Sequence, residues 1–290
     1  MVEFDPYLYV AFGVGLLAGW VVRPRSPWVP RATLVSVGVL IGLFGATLDA
    51  IPLDRLLETI PEALGLVLAM LGLTAGVVLL LFRWTASVGP TAPVPSGPPD
   101  RWPLSPLLLG ALVGGFLLAR FVYFPAAAAI PWALYTLLAL VAFDLQLRWA
   151  ALRTLWVPVT SAVVGAVIAA ILLTSAFGVA APVAFATTLA FGWYSLAGPL
   201  VAARAGAELG LFAFLTNFLR EDFTLLFAPL LGRRLRGEGL AAFGGATAMD
   251  TTLYMVTRYG DPKAGSLALA TGLLLTVAAS LLLPFLLSLP

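Results

Sequence analysis

Apolar residues in this chain are gathered into long, nearly unbroken runs, with polar residues confined to the short intervals between them. Runs fall at 7–22, 32–48, 61–82, 104–122, 131–147, 155–176, 182–203, 208–231, 240–257 and 264–288. Each approaches the ~20 residues that a helix needs to cross hydrocarbon. None shows the roughly 10-residue alternation of an outer-membrane barrel strand. The pattern predicts an all-α, polytopic helical bundle in a lipid bilayer, with about eight full crossings and two broken or re-entrant segments.

The intervals organise the runs. Between Trp84 and Pro103, five prolines (Pro90, Pro93, Pro95, Pro98, Pro99) with Gly and Ser predict an extended connection. It separates an N-terminal three-helix unit, 1–83, from a helical transport unit, 104–290, with a Pro-rich cytoplasmic linker at 84–103. Lys and Arg in short loops mark the cytoplasmic side. Arg23, Arg25 and Arg31 follow the first run, Arg83 and Arg101 the third, and Arg148 and Arg153 the fifth, whereas Asp49, Asp54, Glu58 and Glu62 crowd around Arg55 after the second. Both termini are therefore expected outside. Met1 to Pro6 lacks the basic stretch of a cleavable signal, so the first run is expected to be retained.

Simple alternation fails before Arg233, Arg234 and Arg236, the densest basic cluster in the chain. Two full crossings by segments seven and eight would put that cluster outside. The conflict disappears if one of them enters and leaves on the same side. Gly192, Gly198 and Pro199 mark segment seven as broken, and Arg220-Glu221-Asp222 marks segment eight. Gly244-Gly245 gives segment nine the same character. Irregular backbone at membrane depth is tolerated where it is buried in protein or lines a cavity.

Composition narrows the chemistry. Of 290 residues, 61% are hydrophobic and 10% charged, against about 25% charged in a soluble domain. There is no Cys and no His, which removes thiol nucleophiles, His bases, Cys or His metal ligands and disulfides. The net charge of +2 comes from Arg residues at the ends of runs, so no nucleic-acid partner is expected. No metal or cofactor site is expected either. Proton chemistry falls to Asp, Glu, Tyr or the single Lys263.

A charge at the centre of a membrane helix costs on the order of 2.5–3.5 kcal/mol, so acids inside runs are informative. Glu221, Asp222 and Asp250 qualify; Asp49 and Asp144 lie nearer segment ends. On a helix, Asn217, Glu221 and Thr224 share a face, with Arg220 on its flank and Asp222 pointing away. By the same rule Thr247, Asp250, Tyr254 and Thr257 form a second stripe. Two carboxylates with neutral oxygen ligands suit a buried cation. The plainer alternative is a structural ion pair of Arg220 with Glu221 or Asp222. In Phe191-Gly192-Trp193-Tyr194-Ser195, an interrupted helix could offer N–H donors to a carboxylate, and Trp193 and Tyr194 could face an ammonium. Alternatively the two aromatics form part of an interfacial belt.

These motifs, Phe191 to Leu196, Asn217 with Arg220-Glu221, and Gly245-Ala246-Thr247-Ala248-Met249-Asp250 with Thr252-Leu253, resemble the bacterial lysine exporter family LysO. The resemblance is strongest from Ala184 to Leu253. It implies a secondary exporter of L-lysine and its analogue thialysine, exchanging lysine for protons in the bacterial cytoplasmic (inner) membrane. By motif, the two acids that family requires fall on Glu221 and Asp250. Trp193, Tyr194, Ser195, Asn217, Arg220, Thr247, Thr251 and Tyr254 are then the supporting substrate-binding residues. The sequence departs from the family pattern at Tyr254, where Pro is common, in the position of Asn217 relative to Arg220-Glu221, and in its longer linker. The alternatives are a cation/proton antiporter or channel built on the same acids, or a membrane-embedded transferase. An enzyme of that kind needs a metal-binding acid cluster or catalytic His, and the sequence favours a transporter.

Overall fold

A computed structural model describes residues 6–21, 28–84, 104–122, 125–144, 149–260 and 264–289. The basic turn at Arg23 and Arg25, most of the Pro-rich stretch with Arg101, Arg148 and Lys263 lie outside the described residues. Every regular element among those described is helical. They are α1 (Pro6–Val21), α2 (Val29–Thr47), α3 (Leu53–Trp84), α4 (Leu104–Ala119), α5 (Ala126–Asp144), α6 (Trp156–Phe177), α7 (Ala181–Thr188), α8 (Tyr194–Ala205), α9 (Ala207–Gly244), α10 (Leu253–Tyr259) and α11 (Ala264–Ser288). Four helical stretches are long and apolar enough to cross a membrane: Arg31–Ala50, Leu53–Arg83, Leu152–Phe177 and Ala264–Ser288. Shorter apolar helices at Val10–Val21, Pro106–Ala119 and Ala128–Phe143 accompany them. The protein is a multi-pass helical membrane protein.

The chain forms two compact units that do not follow its linear order. One contains α1, α2, α4 and α5; the other contains α3 with α6 to α11. In the first, glycines bring backbones together. Gly15 and Gly19 of α1 abut the backbone of Ala139 and Phe143 on α5, and Gly45 of α2 abuts Leu112 on α4. Small residues at such crossings replace the hydrophobic driving force that lipid does not supply. Asp49, in a 3-10 turn at Leu48–Ala50, pairs with Arg120 at 2.6 Å.

In the second unit α3 buries Leu56, Ala63, Val67, Met70, Leu71 and Val78 along one side. This helix begins eight residues before the apolar run at 61–82. Asp54, Glu58 and Glu62 are exposed on its first turns rather than in a loop. Acids there suit the positive end of the helix dipole, and Arg55 spans Glu58 at 3.7 Å and Glu208 at 3.1 Å. On α11, Leu267, Ala268, Leu275, Ala279 and Leu283 are buried while Leu273, Leu274, Val277, Leu281 and Phe285 are exposed, as expected of a helix with one face on protein and the other on lipid.

Segments seven and nine are interrupted. Between α7 and α8 the chain leaves helical geometry at Phe191 (φ 55°) and Gly192 (φ 96°). Between α9 and α10 a 3-10 turn spans Gly245–Met249 and Asp250 is non-helical. Segment eight differs from expectation: α9 runs unbroken through Arg220, Glu221 and Asp222, and its one break is at Arg236 (φ 59°, ψ −171°). Charged side chains do not interrupt backbone hydrogen bonding, so they can be carried on an intact helix if the surrounding protein shields them. After Arg236 a half-helix, residues 237–244, turns back.

Candidate functional site

The return path of segment nine is fixed by close backbone contacts at its two ends. A Cβ built on Gly260 would lie 2.9 Å from the Gly237 Cα, and one on Gly232 would lie 2.6 Å from the Tyr259 carbonyl oxygen. The half-helix 237–244 and α10 therefore begin and end at the same end of α9, and residues 237–260 form a hairpin whose tip is the turn Gly245–Thr252. Eight helical residues rise only about 12 Å, less than half of the ~30 Å that a spanning helix must cover.

The tip meets the interruption in segment seven. The Ala246 N–H donates to the Phe191 carbonyl at 2.9 Å. Gly245, at φ 63°, is so close to Phe191 that a Cβ there would overlap the Phe191 carbonyl oxygen. Gly192 and Gly245 both require glycine geometry, a positive φ with backbone against backbone.

Asn217 and Arg220 of α9 hold the two interruptions in place. Asn217 accepts the Gly192 N–H at 2.8 Å and donates to the Thr187 and Ala213 carbonyls at 2.8 and 2.9 Å. Arg220 donates from Nε to the Phe243 carbonyl at 3.1 Å and from Nη2 to the Ala242 carbonyl at 3.0 Å, with its guanidinium 5.8 Å from the Phe191 ring centroid. These carbonyls close the C-terminal end of the half-helix 237–244, where acceptors lack intrahelical partners and the dipole is negative. Among the described residues Arg220 forms no ion pair with Glu221 or Asp222, which removes the structural-pair alternative. Arg220 sits centrally among the interruptions instead of on the flank of the stripe.

The acids lie beside this clamp. Glu221 is 2% exposed, and among the described residues its Oε1 has no hydrogen-bond partner. It lies within electrostatic range of Asp250 and Asp222, and the Thr251 side chain interacts with it. Asp250 is partly buried; its Oδ1 accepts the Thr251 N–H at 2.6 Å and is 3.3 Å from the Thr251 hydroxyl. Tyr194 opens α8, packs edge-on against Phe214 and Phe218 with centroids 5.4 and 5.6 Å apart, and is within electrostatic range of all three acids.

The second helical stripe does not exist as a helix face, because residues 245–252 are not α-helical. The Thr247 carbonyl gathers the Asp250 and Thr252 N–H groups at 3.2 and 3.1 Å, and the Thr247 hydroxyl donates to Gly244 at 3.0 Å. Thr251, adjacent to Asp250, takes the place that helical spacing gave to Thr247 and Tyr254; Tyr254 is buried in α10. Trp193 is half-buried against the core of this unit, whereas Ser195 is exposed on the first turn of α8. Sequence spacing turned Asp222 away from the polar stripe and did not single out Glu238; both are buried, and the Glu238 carboxylate lies 3.9 Å from Arg236. The only signal for either was an acid inside or beside an apolar run.

A profile of the lysine exporter LysO family matches residues 104–287, from α4 through nearly all of α11. The chain belongs to that family. It is 33% identical over 129 residues to the lysine exporter LysO of Escherichia coli strain K12, covering 44% of this chain and 42% of that protein. It is also 28% identical over 193 residues to a Haemophilus influenzae protein named as a candidate lysine exporter, covering 64% of this chain and 97% of the relative. The chain thus spans less than half the length of the E. coli relative. No solved structure matches it. Membership of this family confirms the resemblance carried by the motifs at Phe191, Arg220 and Gly245. All three lie within the matched residues and meet at one place in the fold.

Proposed function

We propose that this protein is a secondary active exporter of L-lysine, accepting thialysine, that exchanges the amino acid for protons. The observation that carries the reading is the approach of Glu221 to Asp250 where two interrupted segments meet, in a chain of the lysine exporter family. Two carboxylates and the neutral oxygens of Thr251 and Tyr194 suit an ammonium group. Interrupted helices near mid-depth are the common setting for such sites in transporters. The substrate carboxylate would lie toward the first turn of α8, at the positive end of that helix.

The same reading sets the topology. The 29-residue stretch 207–235 is long enough to cross, so the basic cluster at Arg233 and Arg234 is cytoplasmic if α7 and α8 together enter and leave from outside. The hairpin 237–260 then enters from the cytoplasm, and α11 carries the C-terminus out. Eight crossings with two re-entrant segments, both termini outside, in the bacterial cytoplasmic membrane, satisfy every basic loop.

The test is flux in proteoliposomes of the purified protein. Lysine counterflow, and lysine movement driven by an imposed pH gradient, are expected. Proton movement evoked by sodium or potassium but not by lysine would instead indicate a cation/proton antiporter, and passive lysine leak without proton movement would indicate a channel.

A further inference from the structure

Asp222 stands apart from the two acids that the functional reading uses. It is 2% exposed, and both carboxylate oxygens are buried without a hydrogen-bond partner among the described residues. Asp250, by contrast, is held by the Thr251 N–H, and Glu221 interacts with the Thr251 side chain. A buried carboxylate normally persists by pairing with a donor or a cation. Among the described residues Asp222 has neither, which leaves a proton as its partner.

The ionisable groups around it are few. α6, α7 and α11 contain none. α8 brings Tyr194, and at its far end Arg204, which donates to the Leu289 carbonyl at 3.0 Å. The tip of the hairpin brings Asp250; α10 brings Tyr254, Arg258 and Tyr259. Within α9 the adjacent charges are Glu221, which interacts with Asp222, and Arg220, whose Nε and Nη2 are committed to the Phe243 and Ala242 carbonyls.

We propose that Asp222 carries a proton exchanged for the exported cation, while Glu221 and Asp250 hold the cation itself. This rests on the lysine/proton antiport reading. An ammonium bound between Glu221 and Asp250 places positive charge near Asp222 and favours release of its proton. Departure of the ammonium draws a proton back. Because binding linkage is reciprocal, protonation of Asp222 weakens cation binding by the same factor, and this supplies the coupling.

The experiment compares the parent with Asp222→Asn and Asp222→Leu in proteoliposomes. Both replacements remove the acid; Asn keeps its shape, and Leu removes the unpartnered polar group. At saturating lysine, counterflow without a pH gradient should stay within about two-fold of the parent while its half-saturating lysine concentration rises, and pH-driven lysine movement and lysine-evoked proton movement should fall at least ten-fold. Retained pH-driven movement in either monodisperse variant overturns the proposal. So does loss of counterflow, which would make Asp222 a substrate ligand. Failure of both variants to fold would also overturn it, because the side chain would then have a structural partner. If the parent itself moves no lysine, the antiport reading fails first and the assignment of Asp222 falls with it. If the parent is coupled and the variants remain coupled, only the assignment fails.

Discussion

Replacing Arg220 by Met distinguishes a backbone strap from an ion pair. The guanidinium donates to the Ala242 and Phe243 carbonyls at 3.0 and 3.1 Å, and Met preserves most of the volume while removing every donor. Two buried acceptors are then orphaned at about 1–3 kcal/mol each, about 2–6 kcal/mol together. Part of this is regained because a guanidinium no longer has to be held out of water. Detergent-solubilised Arg220→Met should therefore unfold several degrees below the parent, and transport should be lost because the tip carrying Asp250 is no longer fixed to α9. Arg220→Lys should recover part of the stability, since one ammonium can reach one of the two carbonyls but lacks the planar fork. The decisive comparison is the double variant Arg220→Met with Glu221→Gln. In an ion pair, removing the second partner relieves an uncompensated buried charge and restores stability. Here the partners are carbonyls, so no rescue is expected. A melting temperature in the double variant at least as high as the parent's would refute the strap.

Glu221→Gln and Asp250→Asn should each abolish lysine efflux while leaving protein of parental monodispersity in the membrane; export at the parental rate by either would remove that residue from the site. Gly245→Ala should destabilise by roughly 1–3 kcal/mol, the scale of a strained backbone position. It puts a Cβ at φ 63° against the Phe191 carbonyl, and an unchanged melting temperature would contradict the contact between the two interruptions. A single cysteine at Arg234 should react with an impermeant thiol reagent only from the cytoplasmic side, and one at Glu208 only from outside. The chain has no native Cys to interfere, and the opposite labelling would invert the assigned orientation of α9.

The order of residues alone dictates a helical membrane protein, places the interruptions of segments seven and nine and marks the exceptional acids, but not the unbroken course of α9 through Arg220–Asp222. Continuous apolar runs dictate spanning helices whatever they pack against, because lipid leaves the backbone no other way to satisfy its hydrogen bonds. Gly192 and Gly245 signal interruption for the local reason that only glycine accepts such geometry cheaply. What helical spacing could not supply was the arrangement around the interruptions. It put Thr247, Asp250 and Tyr254 on one stripe, but the turn at Gly245–Met249 dissolves that face and brings Thr251 to Asp250 instead. It offered Arg220 as a substrate-binding residue or, alternatively, as a partner of Glu221 or Asp222, whereas the carbonyls that claim it belong to residues 22 and 23 positions further along the chain. It drew Asn217 as a ligand, and the fold uses its amide to tie Thr187 and Gly192 to α9. Each of these depends on which unsatisfied backbone group a polar side chain meets in three dimensions, and that is decided only when the helices pack.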